Sequence, residues 1–236
     1  VHTLVFLGVI ASVFFTVIGV SMARISLEAI AVPDDIMGYA LPYLRIYFAG
    51  ITFPILYNIG SAILRAVGDS KRPLYFLFAC CLTNVLLVLL FVVGLEMGVT
   101  GAAVATVLSQ VVSVILTFRA LMRSKECFRF SSEELRMDMN LLKSMLRIGL
   151  PVGLQSTMYS ISNILVQSSI NGFGTDVIAA WTAVGKVDSL FWMAINAFGI
   201  AVTTFAGQNF GAGKYDRVHK CVRVSMGMAM GMTIVL

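Results

Sequence analysis

With 58% of its 236 residues hydrophobic, only 12% charged and a mean hydropathy of +0.91, the chain is far more apolar than a soluble domain, which is about half apolar and a quarter charged. The apolar residues come in long unbroken runs rather than short alternating segments, which excludes a strand barrel and selects an all-α integral membrane protein. The net charge of +5 needs no nucleic-acid partner, because the basic residues collect in the links between the runs, where membrane insertion places them.

The chain opens on Val1 inside one apolar run and closes on "MGMAMGMTIVL" inside another, so both ends read as cuts in a longer chain. No charged leader and small-residue cleavage site precede the first run. A helix needs about 20 apolar residues to cross a bilayer. Segments of that kind fall at 3–23, 39–66, 74–93, 98–122, 146–170, 178–206 and, cut short, 218–236.

The second segment is punctuated by Gly50, Pro54 and Gly60, with Tyr57 and Asn58 between them. Pro54 removes a backbone donor, so a bend is expected there, and Gly50 and Pro54 are candidate hinges; a static bend is the equal alternative. Arg45 lies a turn or two in from the outer end and is expected to snorkel. Cys80, Cys81, Cys127 and Cys221 have neither CxxC spacing nor neighbouring histidines, and read as free thiols with no metal site.

The links alternate in charge. Those near 65–73, 119–147 and 207–223 hold Arg65, Lys71, Arg72, Arg119, Arg123, Lys125, Arg129, Arg136, Lys143, Arg147, Lys214, Arg217, Lys220 and Arg223. The intervening links hold Glu28, Asp34, Asp35, Glu96 and Asp176, with Arg24 the one base. Basic links at every second crossing are expected on the cytoplasmic side of a cell (inner) membrane.

The longest link, 123–145, is the expected boundary between 1–122 and 146–236. Ser131 and Glu134 have capping-box spacing and are expected to open a short surface helix, with Leu135, Leu142, Met145 and Leu146 on its apolar side. Pro151 is then expected in the first turns of the next helix, where proline costs least.

That helix is polar along its length. Gln155, Tyr159 and Asn163 recur at four-residue steps as one hydrogen-bonding stripe, fit either to line a cavity or to bond a neighbouring helix. In "WTAVGKVDSLFW", Lys186 and Asp188 stand two residues apart, about 200° round a helix, and cannot pair with each other. Each needs its own partner or water. An ion or substrate contact, a structural ion pair to another helix, and a position at the external interface all satisfy that need. "GDSKRP" and "GAGKY" lack the full phosphate-loop pattern, and no Ser/His/Asp set, H-E-x-x-H or paired carboxylate points to an enzyme, so no catalytic residue and no cofactor are assigned.

Four stretches, "ILRAVGDSKRP" (63–73), "MGVTGAAVATVLSQ" (97–110), "GLPVGLQS" (149–156) and "GQNFGAGKYDRV" (207–218), resemble the multidrug and toxic compound extrusion (MATE) transporters, in the family's order and over essentially the whole chain. The resemblance implies a two-lobe bundle of six plus six helices arranged as a parallel repeat, of which this chain would hold about the third to the ninth. It implies a monomeric secondary-active exporter of cationic amphipathic compounds, exchanging them for protons or sodium by alternating access. The alternatives are a flippase of related architecture for lipid-linked or oligosaccharide cargo, and a non-transporting membrane scaffold. Asn84 resembles the asparagine of a family N-x-x-x-D pair whose aspartate position is Val88 here, which leaves Asn84 as an interhelical bond or an ion ligand. Some members carry a glutamate eight residues after the proline of GLP; here that position is Tyr159, so their ion scheme does not transfer at this site.

Overall fold

The computed structural model describes residues 2–29, 34–123, 138–171 and 173–235. Its regular elements there are helices: α1 His2–Ala29, α2 Asp34–Ala49, α3 Thr52–Ala66, α4 Lys71–Val88, α5 Gly98–Arg123, α6 Met139–Asn171, α7 Thr175–Gly211 and α8 Tyr215–Val235. A π-helical stretch, Leu89–Gly94, extends α4. The chain divides into two compact units, Val1–Leu142 and Lys143–Leu236, and the division falls within the first turns of α6.

Among the described residues, five stretches are long and apolar enough to cross a membrane: His2–Glu28, Ile36–Ala66, Lys71–Gly94, Gly98–Arg123 and Val177–Gly211. The segments expected at 146–170 and 218–236 form helices of sufficient length but fall below that apolarity. Hydroxyls and amides dilute α6, and the cations of its first turns dilute α8.

The segment expected at 39–66 is one crossing made of two helices. Pro54 has no N–H to give the Gly50 carbonyl, so Phe53 N–H donates there instead, at 3.1 Å. The ladder tightens from four-residue to three-residue steps, with Ile51 N–H donating to the Phe48 carbonyl at 3.2 Å, and a turn at Gly50–Ile51 separates α2 from α3. Asn58 spans the start of α3 by donating to the Pro54 carbonyl at 2.8 Å.

α5 is the axis of the first unit and packs against α2, α3 and α4. Gly101, Ala105, Ser109, Ser113, Thr117 and Leu121, each four residues after the last, form its buried stripe. Small residues let helix backbones close in a bundle where lipid gives no hydrophobic drive between helices. The hydroxyls in this stripe satisfy themselves on the preceding turn: Ser109 donates to the Thr106 carbonyl at 2.8 Å, Ser113 to the Gln110 carbonyl at 2.7 Å and Thr117 to the Ser113 carbonyl at 2.7 Å. Glycines on the neighbouring helices complete the fit, Gly50 lying against Val107 and Gly60 against Thr117.

An apolar cluster, Val5, Ile63, Leu64 and Leu121 with Ile59, Phe76 and Phe118 against it, joins the start of α1, the end of α3, the start of α4 and the end of α5. Tyr57 bonds the Pro73 carbonyl at 3.0 Å, and Asp138 N–H donates to Thr3 Oγ1 at 3.2 Å, so the approach to α6 lies at the same end. Within this unit the basic links therefore share one end of an antiparallel bundle. With cysteines placed singly at Ser70 or Tyr215 in a cysteine-free protein, an impermeant maleimide applied to intact cells should label neither until the membrane is permeabilised. Labelling of either from outside would break the orientation.

One expectation for the link is corrected. Ser131, Glu134 and Leu135, where a short helix is expected to open, lie outside the described residues, and Leu142, Met145 and Leu146 belong to α6. Asp138 caps α6, its Oδ1 accepting from the N–H groups of Asn140 at 2.8 Å and Leu141 at 3.2 Å. Pro151 consequently sits inside a 33-residue helix and not in its first turns. It costs α6 the donor to the Arg147 carbonyl, a local weakness in an otherwise continuous helix.

Candidate transport site

The first unit holds Gly50, Pro54 and Asn84. Gly50 is buried where a Cβ would press on the Val107 side chain, with Val107 Cγ1 2.7 Å away, so the α2–α3 turn is seated on α5. Asn84, half-buried on α4, donates its amide toward Thr106 Oγ1 at 3.5 Å and Ser109 Oγ at 3.4 Å. Thr106 and Ser109 give their own protons to backbone carbonyls, which leaves lone pairs turned to the amide. The geometry is an interhelical hydrogen bond between α4 and α5, with Val88 one turn on supplying no charge.

The motif turns are explained by backbone geometry. In "ILRAVGDSKRP", Gly68 adopts φ +91° and closes α3, with Asp69 N–H donating to the Leu64 carbonyl at 3.0 Å. Asp69 then caps α4, accepting from Arg72 N–H at 3.1 Å and pairing with its guanidinium at 3.0 Å. In "GQNFGAGKYDRV", Gly213 at φ +70° plays the same part, and Lys214 N–H donates to the Asn209 carbonyl at 2.8 Å. Both stretches make helix ends.

The second unit carries the ionisable pair. Lys186 and Asp188 lie on α7, both exposed, and among the described residues neither forms an ion pair. Asp188 is engaged otherwise: its Oδ2 accepts the indole N–H of Trp192 at 3.1 Å, one turn on. Trp192 in turn lies against Tyr159 of α6, ring centroids 5.8 Å apart and tilted by 59°. The structure thus links Tyr159, Trp192 and Asp188 in a chain, with the indole between the phenol ring of α6 and a carboxylate on the membrane-spanning α7. Gln155 and Asn163 extend the Tyr159 face a turn to either side, both exposed. The hydroxyls of Ser156, Thr157 and Ser160 are turned back onto the α6 carbonyls and offer no donor outward.

Trp192 is the member that sequence reasoning missed. Its four-residue spacing from Asp188 was visible, but an indole in an apolar run reads as packing or an interfacial anchor. Only the contact with Tyr159 of another helix makes it part of a site. The thiols of Cys80, Cys81 and Cys221 are free, and Cys127 lies outside the described residues.

A carboxylate and a cation carried within an apolar crossing, on a polytopic all-α bundle with a polar helix beside it, belong to a multi-pass membrane protein. The chain belongs to the MatE family, whose model matches residues 1–90 and 151–236. It is 31% identical to the probable multidrug resistance protein YoeA of Bacillus subtilis (strain 168), over 93% of this chain and 48% of that one. With the probable multidrug resistance protein YpnP of the same organism it shares 33% identity, over 88% of this chain and 46% of the relative. The crystal structure of MATE in the bent conformation superposes with a TM-score of 0.90 at 24% identity, covering 98% of this chain and 52% of that one. The chain spans about half the length of the curated relatives it matches.

Proposed function

We propose that the protein is a secondary-active exporter of cationic amphipathic compounds, driven by exchange against protons or sodium, and not an enzyme. The observation that carries this reading is the Asp188–Trp192–Tyr159 arrangement. Aromatic faces attract a desolvated organic cation, and a neighbouring carboxylate supplies the neutralising charge. An inorganic cation or a proton that takes the same carboxylate excludes the drug cation. Exchange then follows if the two occupants favour different arrangements of the transporter, since a ligand shifts states only through differential affinity. Lys186 carries a positive charge two residues away and is suited to compete with the coupling cation and return the site to its empty state.

The test is counterflow of a fluorescent organic cation in proteoliposomes of the full-length protein, with proton and sodium gradients imposed separately. Uptake driven by one gradient and abolished by its collapse is expected. Equal movement with no gradient would sink the exchange mechanism. Two lobes related by a parallel repeat, with Gly50 and Pro54 flexing in one of them, are part of the same proposal.

Tyr159 has a phenol where the family resemblance places a carboxylate in some members, and a phenol lacks the paired oxygens and charge with which a carboxylate holds a coupling cation. Tyr159→Phe keeps the ring against Trp192 and should preserve the ion dependence of transport while lowering cargo affinity by no more than about fivefold, the loss of one hydrogen bond. Transport that no longer responds to the ion gradient in that variant would move the coupling role onto Tyr159.

A further inference from the structure

Asp188 is joined to α6 through one side chain. Trp192 donates its indole N–H to Asp188 Oδ2 at 3.1 Å, and its ring meets that of Tyr159 with centroids 5.8 Å apart and a tilt of 59°. An indole nitrogen only donates, and a donor left without an acceptor in a membrane crossing is costly. The carbonyls of α7 serve the helix ladder. Asp188 is therefore the group that sets the direction of the ring, and an ionised acceptor makes the stronger kind of bond. Lys186 stands two residues before Asp188 and about 200° round the helix, so it does not contend for Oδ2.

A second acceptor lies one turn back along α7. Ser189 is three residues before Trp192, as Asp188 is four, and both spacings place neighbours on a helix surface. Ser189 gives its own proton to the Lys186 carbonyl at 2.7 Å, which leaves its lone pairs free to accept. The two acceptors stand about 100° apart round the helix. A ring that turns from one to the other leaves the orientation in which it meets Tyr159. The indole is thus an element with two hydrogen-bonded positions, and one of them includes α6.

We propose that Trp192 is the positioning residue that carries the occupancy of Asp188 to α6. While the carboxylate is free, it holds the indole and keeps the ring against Tyr159. A cation that takes both carboxylate oxygens cancels the charge that held the N–H. The indole then turns to Ser189, and Tyr159 is released. The proposal rests on Asp188 being the cation site. It supplies what exchange requires of that site, an occupied arrangement that differs from the empty one. Loss of one ring pair changes the balance between held and released α6 by about threefold to tenfold.

The test replaces Tyr159 by 3-fluorotyrosine in the full-length protein in nanodiscs and reads the fluorine resonance, first with no cargo. Asp188→Leu removes the acceptor and should move the resonance to that of a released ring. Asp188→Asn still accepts the indole N–H and should leave it in place. Trp192→Phe keeps a ring without an N–H, so in that background Asp188→Leu should add nothing. Ser189→Ala takes away the second acceptor and should lower the released fraction of Asp188→Leu by about fivefold, the worth of one hydrogen bond. An unmoved resonance in Asp188→Leu, an equal movement in the Trp192→Phe background, or indifference to Ser189→Ala would each overturn the proposal. The second arm needs no substitution. Tetraphenylphosphonium, added to saturation of its measured binding, should move the wild-type resonance toward the Asp188→Leu position. Binding without that movement would overturn the relay and leave the cation site standing. Binding that is absent, or undiminished in Asp188→Asn, would refute the cation site and the proposal with it, whatever the cargo-free comparison gives.

Discussion

Asp188→Asn in the full-length protein should reach the membrane in near-normal amount and lose gradient-driven efflux of organic cations by about tenfold or more, the loss expected when a desolvated cation gives up its one neutralising charge. The substitution is nearly isosteric, and its side-chain oxygen can still accept the Trp192 indole N–H, so the local geometry survives while the charge does not. Trp192→Phe makes the complementary change. It keeps a ring against Tyr159 but frees the carboxylate, so it should weaken apparent cargo affinity with a smaller loss of maximal rate. Lys186→Met completes the set. With no carboxylate in ion-pair reach among the described residues, Lys186 should be dispensable for abundance, and its loss should slow return of the emptied site. Efflux rates and immunoblots of membranes separate these outcomes. Loss of abundance in both Asp188→Asn and Lys186→Met would make them structural charges. Normal efflux in both would place them at the external interface, outside the mechanism.

Gly60→Leu should prevent the protein from accumulating in the membrane. Gly60 is buried on α3 with Thr117 of α5 directly over the missing Cβ and Leu121 Cδ1 3.6 Å from it, so a branched side chain has no space unless the two helices part. Gly60→Ala is the measurable form of the same effect and should cost about 1–3 kcal/mol, as overpacking in a close-packed interior does. The companion change is Thr117→Ser, which deletes the methyl that obstructs the new Cβ and leaves a hydroxyl able to reach the Ser113 carbonyl. The double variant should recover much of the melting temperature lost by Gly60→Ala alone. Additive losses in the pair would show that the contact is not the cause.

Part of the site could be read without coordinates. Lys186 and Asp188 stood out because ionisable residues in an apolar run are rare, and their spacing ruled out mutual pairing by helix geometry alone. The Gln155–Tyr159–Asn163 stripe followed from four-residue periodicity in the same way. What periodicity lacked was any relation between one helix and the next. It left Trp192 as one more aromatic residue, and it could not show that the Asn84 amide faces Thr106 and Ser109 of α5.

The sequence by itself determined the solvent, and with it the helical class, the five long apolar helices and the alternation of basic links, because these depend on composition along the chain and on the cost of burying charge in lipid. It also placed the break near Pro54, a local consequence of a missing donor. Tertiary structure decided that the small residues of α5 form the seam of the first unit, that Gly50 and Gly60 are seats for side chains of another helix, and that Asp188 has an indole for a partner. These are contacts between residues far apart along the chain or on different faces of a helix. Close packing selects them by shape, and no one-dimensional pattern carries shape.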